Sequence, residues 1–137
     1  MRPVPVPQPE SSYYWEKARA GELWLRRCNA CHLVYFYPRD LCPSCFSRDT
    51  GWIQSTGRGS VHTFSIVHRP PTPDWRDAVP YVVAIVELDE GARIPTNLID
   101  VTPDPAHVHV GMRVTVAFRK MSEEISVPVF RPEVRIP

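Results

Sequence analysis

Hydrophobic and polar positions change rhythm twice along the chain. Residues 1–10 (MRPVPVPQPE) alternate proline with valine, the pattern of an extended polyproline-like arm. In residues 13–20 (YYWEKARA), Tyr14, Trp15 and Ala18 share one face at helical spacing. Ser11 and Ser12 offer an N-cap and Gly21 a C-terminal stop, so a short helix is expected there. A helix this short is marginal alone and must dock its aromatic side chains on a neighbour. Residues 23–27 (LWLRR) read as a short strand, and residues 34–37 (VYFY) as another, ended by Pro38.

From Gly59 onward the rhythm has period two. Residues 60–68 (SVHTFSIVH) place His62, Phe64 and Ile66 on one face and Val61, Thr63, Ser65 and Val67 on the other. Residues 81–88 (YVVAIVEL) are β-branched, apolar and continuous, as a central strand would be. Asp89-Glu90-Gly91 makes a hairpin turn into a third strand, residues 94–99. Residues 112–118 (MRVTVAF) and 125–130 (ISVPVF) complete five strands. One hairpin, and a long connection over residues 100–110, suit an OB-fold barrel. A small open sandwich or an SH3-like barrel would use the same number of strands.

Four cysteines interrupt the first part of this pattern. Cys28 and Cys31 are separated by two residues, as are Cys42 and Cys45, with ten residues between the pairs. Two residues between thiolates let one tight turn aim both sulfurs at a single ion, and two such turns complete a tetrahedron. Zn²⁺ is the expected metal; a rubredoxin-like iron and a redox dithiol are the alternatives. Four thiolates leave no coordination position for water or substrate, so the metal is structural. The resulting division is 1–22 arm and helix, 23–56 zinc ribbon, and 57–137 barrel with a tail.

Composition narrows the function. The 137 residues are 43% hydrophobic and 23% charged, a globular balance sufficient for one unit or two small modules. Sixteen prolines favour a loop-rich β protein over a helical one. Net charge is +1, fourteen of the sixteen basic residues are Arg, and no basic run exceeds Arg26-Arg27. A phosphate-tracking surface shows a clustered basic stripe, so single-stranded nucleic acid is the weaker alternative for an OB-fold of this charge. The chain has no run of about eighteen apolar residues for a membrane span and no signal-peptide core, which predicts a cytoplasmic protein. There, cysteines serve metals more often than disulfides.

No catalytic set emerges. His62 alternates with strand residues, His107 and His109 lack a third ligand nearby, and all four thiols belong to the metal. No nucleophile elbow, phosphate loop, dinucleotide fingerprint or zinc-protease helix is present. The most distinctive surface feature is the loop at residues 69–80 (RPPTPDWRDAVP), where OB-folds commonly bind ligands. Trp75 within it serves either as an interface anchor or as a plug that folds back on the barrel end.

An ordered run of motifs covers residues 11–132: a short helix, GELWLRRC-x-x-C, aromatic-aromatic-Pro, C-P-x-C and a Trp. After these come G-x-G-x-V-x-T-F-S, PYVVAIVELDEG, TNLID and V-G-M-x-V-x-V-x-F. The run resembles the acyl-CoA-associated zinc-ribbon/OB-fold family, once catalogued as domain of unknown function thirty-five. The resemblance implies a rubredoxin-like ribbon ligated by Cys28, Cys31, Cys42 and Cys45, followed by a five-stranded OB-fold. It also implies a non-catalytic accessory subunit whose partner is a thiolase-fold enzyme: a thiolase, a lipid-transfer-type thiolase or an aldolase acting on acyl-CoA thioesters. A hydratase of the MaoC type is a further possible partner. On this reading Tyr13, Tyr14, Trp15, Trp24 and Trp75 are candidate partner anchors, and Arg58, Arg69 and Arg76 candidate contacts to the CoA phosphates.

Overall fold

A computed structural model describes residues 2–133. Its elements are α1 (Ser12–Arg19), β1 (Trp24–Cys28), β2 (Val34–Tyr35), β3 (Thr50–Gln54), β4 (Arg58–Val67), β5 (Tyr81–Leu88), β6 (Arg93–Leu98), β7 (Arg113–Lys120) and β8 (Ser126–Pro132). β2, β1 and β3 form an antiparallel three-stranded sheet, and the other five strands close a barrel in the order β4-β5-β6-β8-β7. The expected OB-type barrel is therefore present, with one short helix ahead of it. Residue 1 of the expected arm and residues 134–137 of the expected tail lie outside the described residues.

Helix α1 begins and ends near the expected residues, but its first turn differs in detail. Ser11 occupies the N-cap position without a side-chain cap; its hydroxyl instead donates to the Gln8 carbonyl and accepts from the Gln8 amide. The hydroxyl thus braces the arm against the helix start. At the other end Gly21 adopts φ +84°, and the amides of Gly21 and Glu22 close back onto Ala18 and Lys17. A left-handed residue after the last turn is where glycine is favoured.

In β4 the simple alternation fails for a physical reason. Val61 pairs with Val86 and Thr63 with Ile85, so His62 is an extra, bulged residue. One inserted residue inverts the phase of everything after it. Val61, Phe64 and Ile66, expected on opposite faces, consequently all pack toward the barrel interior, opposite Val86, Ala84 and Val82. His62 is left exposed. β5 is central, as expected, between β4 and β6, but it is buried on one face only. Val82, Ala84, Val86 and Leu88 point inward, whereas Val83 is 38% exposed.

The helix, β1 and the barrel share one apolar core. Tyr14, Trp15, Leu23 and Leu25 join Val61, Val86, Leu88, Ile94, Val114 and Phe130 in it. The crossing between sheet and barrel is short and pinned. Ser55 accepts the Gly57 amide and donates to Glu90, whose other oxygen takes the Thr56 amide at 3.0 Å. Gly57 itself has φ +78°, and a Cβ there would lie 2.3 Å from Val116 Cγ1.

Barrel closure is uneven. β6 and β8 run parallel and register only at Leu98 and Phe130, with Ile99 donating to the Phe130 carbonyl at 2.8 Å. Further along, the Thr96 hydroxyl donates to the Pro128 carbonyl at 3.1 Å. Pro95 and Pro128 have no amide hydrogen to offer a ladder. The seam between these strands opens into a cleft.

Candidate functional site

The four cysteines come together as their spacing requires. Their sulfurs all lie within 4.8 Å of one another, with Cys28–Cys45 and Cys31–Cys42 each at 3.6 Å. A tetrahedron with bonds of about 2.3 Å has sulfur–sulfur edges of about 3.8 Å, so this set fits one Zn²⁺ closely.

The two turns that carry them are built alike. The Cys28 carbonyl accepts the His32 amide and the Cys42 carbonyl accepts the Phe46 amide. The Cys28 amide donates to Leu33 and the Cys42 amide to Ser47. In each turn the residue after the second cysteine adopts a left-handed backbone, φ +68° at His32 and φ +62° at Phe46. His32 is therefore a turn residue and not a fifth donor, and its Nδ1 lies 2.9 Å from Arg27 Nη2.

Four ionised sulfurs this close repel one another, and the protons settle unevenly. Amides of Cys45 and Ser44 stabilise the Cys42 thiolate and lower its pKa to about 6, against the effect of burial. At Cys31 the Leu33 amide pulls the value down, but burial and the three neighbouring sulfurs outweigh it and raise it to about 12. A divalent cation removes that conflict by giving every thiolate the same counter-charge. The ion is structural: no position remains for substrate.

The other predicted residues are dispersed. Tyr14 and Trp15 are buried, at 2% and 7% exposure, and their rings are spent inside the chain. Tyr13 is partly exposed and packs edge-on against Trp24 and tilted against Trp52, with Lys17 Nζ 5.3 Å from its centroid. Trp75 ends a 3-10 turn, Pro73–Trp75, and folds back to stack on Tyr81 at 4.8 Å and 29°. The three arginines do not form one cluster. Arg58 begins β4, paired with Glu133, while Arg69 and Arg76 lie beyond its other end. A ten-residue strand, about 33 Å long, separates them.

Sequence reasoning missed two groups of residues. Leu33, Leu41 and Phe46 are exposed apolar side chains around the cysteine turns, Phe46 at 70%. Leu41 and Phe46 have no periodic apolar neighbours, and Leu33 reads as the start of the 34–37 run, so none of them signals exposure. The second group is Arg2 and Arg119, which line the seam cleft together with Trp75. They are 117 positions apart in the chain, and only the fold brings them together.

Two family models match the chain in succession. The ChsH2 rubredoxin-like zinc ribbon domain matches residues 15–51, and the ChsH2 C-terminal OB-fold domain matches residues 52–119. A DUF35 domain-containing scaffold protein of Methanocaldococcus jannaschii is 43% identical over 100 residues, covering 72% of this chain and 68% of that protein. A probable enoyl-CoA hydratase alpha subunit of Thermomonospora curvata is 37% identical over 134 residues. That match takes in 98% of this chain but 41% of the relative, so the chain spans less than half of that protein's length. Among solved structures, one described as the Ltp2-ChsH2(DUF35) aldolase superposes with a TM-score of 0.80 at 36% identity, over 95% of this chain and 99% of that one. No helix among the described residues is long and apolar enough to cross a membrane.

Proposed function

Because the chain belongs to the DUF35 family of ChsH2-type zinc-ribbon and OB-fold proteins, we propose that it is a non-catalytic accessory subunit of a thiolase-like enzyme acting on acyl-CoA thioesters. The observation that carries this reading is the end-to-end likeness to the ChsH2 chain of an aldolase assembly. The chemistry of the chain agrees. Its four thiols converge on one structural metal, which leaves none as a nucleophile.

Docking would use apolar side chains that internal packing leaves accessible. Tyr13, Trp24 and Trp75 remain candidates from the sequence; Tyr14 and Trp15 would act from beneath, by shaping the helix surface. Leu33, Leu41 and Phe46 join them because exposed apolar residues on a metal-stiffened turn lose little conformational freedom on association. Arg69 and Arg76, on one exposed loop, are the better placed of the arginines for CoA phosphates, and Arg58 is the least.

The test is co-purification. The tagged chain, recovered from its native cells, is expected to bring down a thiolase-fold protein in stoichiometric amount, and Phe46→Asp to release it. Elution of the chain alone would overturn the reading. A second reading has its own support: two relatives carry hydratase alpha subunit names, the second being the 3-oxo-4,17-pregnadiene-20-carboxyl-CoA hydratase alpha subunit of Mycobacterium tuberculosis. Recovery of a MaoC-type hydratase in place of a thiolase-fold protein would select it.

A further inference from the structure

The cleft at the β6–β8 seam holds about 450 Å³, within the usual range for small-molecule sites. Besides β6 and β8 themselves, its walls include the arm through Arg2, the helix through Trp15, the 69–80 loop through Trp75, and the β7–β8 hairpin through Arg119 and Met121. An OB-fold binds ligands between these same two loops. Here the arm lies across that region as an additional wall.

The electrostatics of the cleft are one-sided. No aspartate or glutamate lines it among the described residues. Neither Arg2 nor Arg119 takes part in an ion pair among the described residues. Contact with the Trp75 ring, 4.4 Å from the Arg2 guanidinium carbon to the centroid, accounts for Arg2. It does not account for Arg119, whose charged form is disfavoured by burial and by the like charge of Arg2. Trp15, 7% exposed in the same wall, has an indole Nε1 with no acceptor among the described residues. Of the polar residues of β6 at the cleft, Thr96 spends its hydroxyl donor on the Pro128 carbonyl, and Asn97 spends one of its two amide hydrogens on the Val82 carbonyl. What the described residues offer the cleft is therefore chiefly positive charge and apolar surface, with no carboxylate among them.

We propose that this cleft binds a small organic anion with an apolar body, its carboxylate or phosphate end held by Arg2 and Arg119 and its body lying against Trp75 and Met121. Guanidinium groups bind either oxyanion through paired, charge-assisted hydrogen bonds. In this ligand the anionic group is carried directly on the apolar body, whereas in an acyl-CoA thioester the acyl end is neutral and the phosphates lie on the nucleotide portion. Every residue named at the site belongs to this chain, so its binding is tested on the chain alone.

The experiment is calorimetric titration of the full, zinc-loaded chain with octanoate, octyl phosphate and octanol. Both anions, or one of them, are expected to bind at least about tenfold more tightly than octanol, the effect of one charge-assisted hydrogen bond. Preference for octanoate assigns a carboxylate ligand, and preference for octyl phosphate a phosphate monoester. Arg119→Gln is expected to weaken anion binding about tenfold and leave octanol unchanged. Arg131→Gln, remote from the cleft, should change neither. If Arg119→Gln fails to fold, Arg2→Gln, on the extended arm, provides the same comparison. Equal affinity for alcohol and anions, unaltered anion binding in the arginine variants, tighter binding of AMP than of octyl phosphate, or no binding at all would each overturn the proposal.

Discussion

Between residues 28 and 49 the buried positions are Cys28, Tyr35, Pro38 and Cys42, whereas every barrel strand from β4 to β8 buries at least one residue and β5 buries four. The cysteine turns therefore have almost no apolar core of their own. Their order comes from the ion, from turn hydrogen bonds and from β1, which ties them to the rest. The barrel closes around Val86, Leu88, Ile94, Val114 and Phe130 and needs no metal for that. Two regions of one small chain thus draw stability from different sources. A perturbation aimed at one source should leave the other region standing.

Removing the metal tests that separation most severely. Structural zinc sites contribute on the order of 10 kcal/mol. Chelation, or Cys42→Ser, is expected to collapse the amide dispersion of residues 28–49 in a two-dimensional NMR spectrum while residues 58–132 keep their shifts. Loss of both sets together would show that the two regions form one cooperative unit.

Phe130→Ala is the reciprocal cut. The ring is fully buried in the barrel, and its loss is expected to cost about 3–5 kcal/mol in denaturant unfolding. Zinc content at low denaturant should stay at one ion per chain. Release of zinc by this variant under folded conditions would mean that the barrel holds the turns in shape.

Gly57→Ala strikes the crossing between the regions. It combines a left-handed backbone with a Cβ 2.3 Å from Val116 Cγ1, and about 2–3 kcal/mol of destabilisation is expected. Val116→Ala in the same chain should recover the steric part and leave the backbone part of about 1 kcal/mol. Full recovery would place the whole cost in the clash.

The smallest effect is electrostatic. Arg113 donates to both oxygens of Asp89 at 2.9 Å and holds its pKa below the usual carboxylate range. A lowered folded-state pKa gives stability that is present above the unfolded value, near pH 4, and lost as pH falls through the folded value. Both side chains are substantially exposed, so solvent screens the pair. Asp89→Asn should leave a slightly flatter stability curve below about pH 4 and no change in zinc content.

How much of this was legible in the sequence depended on whether each signal was local. The cysteine turns were, because two residues of spacing leave few geometries. β5 was, because six apolar residues in a row, Tyr81 to Val86, four of them β-branched, admit little else. The bulge at His62 was not. A bulge is fixed by how β4 pairs with β5, and the alternation of β4 read alone gives Val61 the wrong face. The barrel's strand count favoured an OB-fold, but the order β4-β5-β6-β8-β7 rests on contacts between distant strands. The burial of Tyr14 and Trp15 was half visible, since a short helix must dock its aromatics on something. The sequence did not say that the surface was the chain's own core. Of the seam cleft only one wall was legible, the 69–80 loop with Trp75; Arg2 and Arg119, near the two ends of the chain, left no signal.

That seam also orders the molecule in time. Between β6 and β8 one registered pair and one hydroxyl bond do what seven registered pairs do between β7 and β8. Amides leave protection in order of the structure that must open to expose them. In heavy water the Ile99 amide should exchange well ahead of those of Val114 and Val116, both within the barrel wall. The barrel would then breathe along one line, like a split cuff, while its opposite side stays shut.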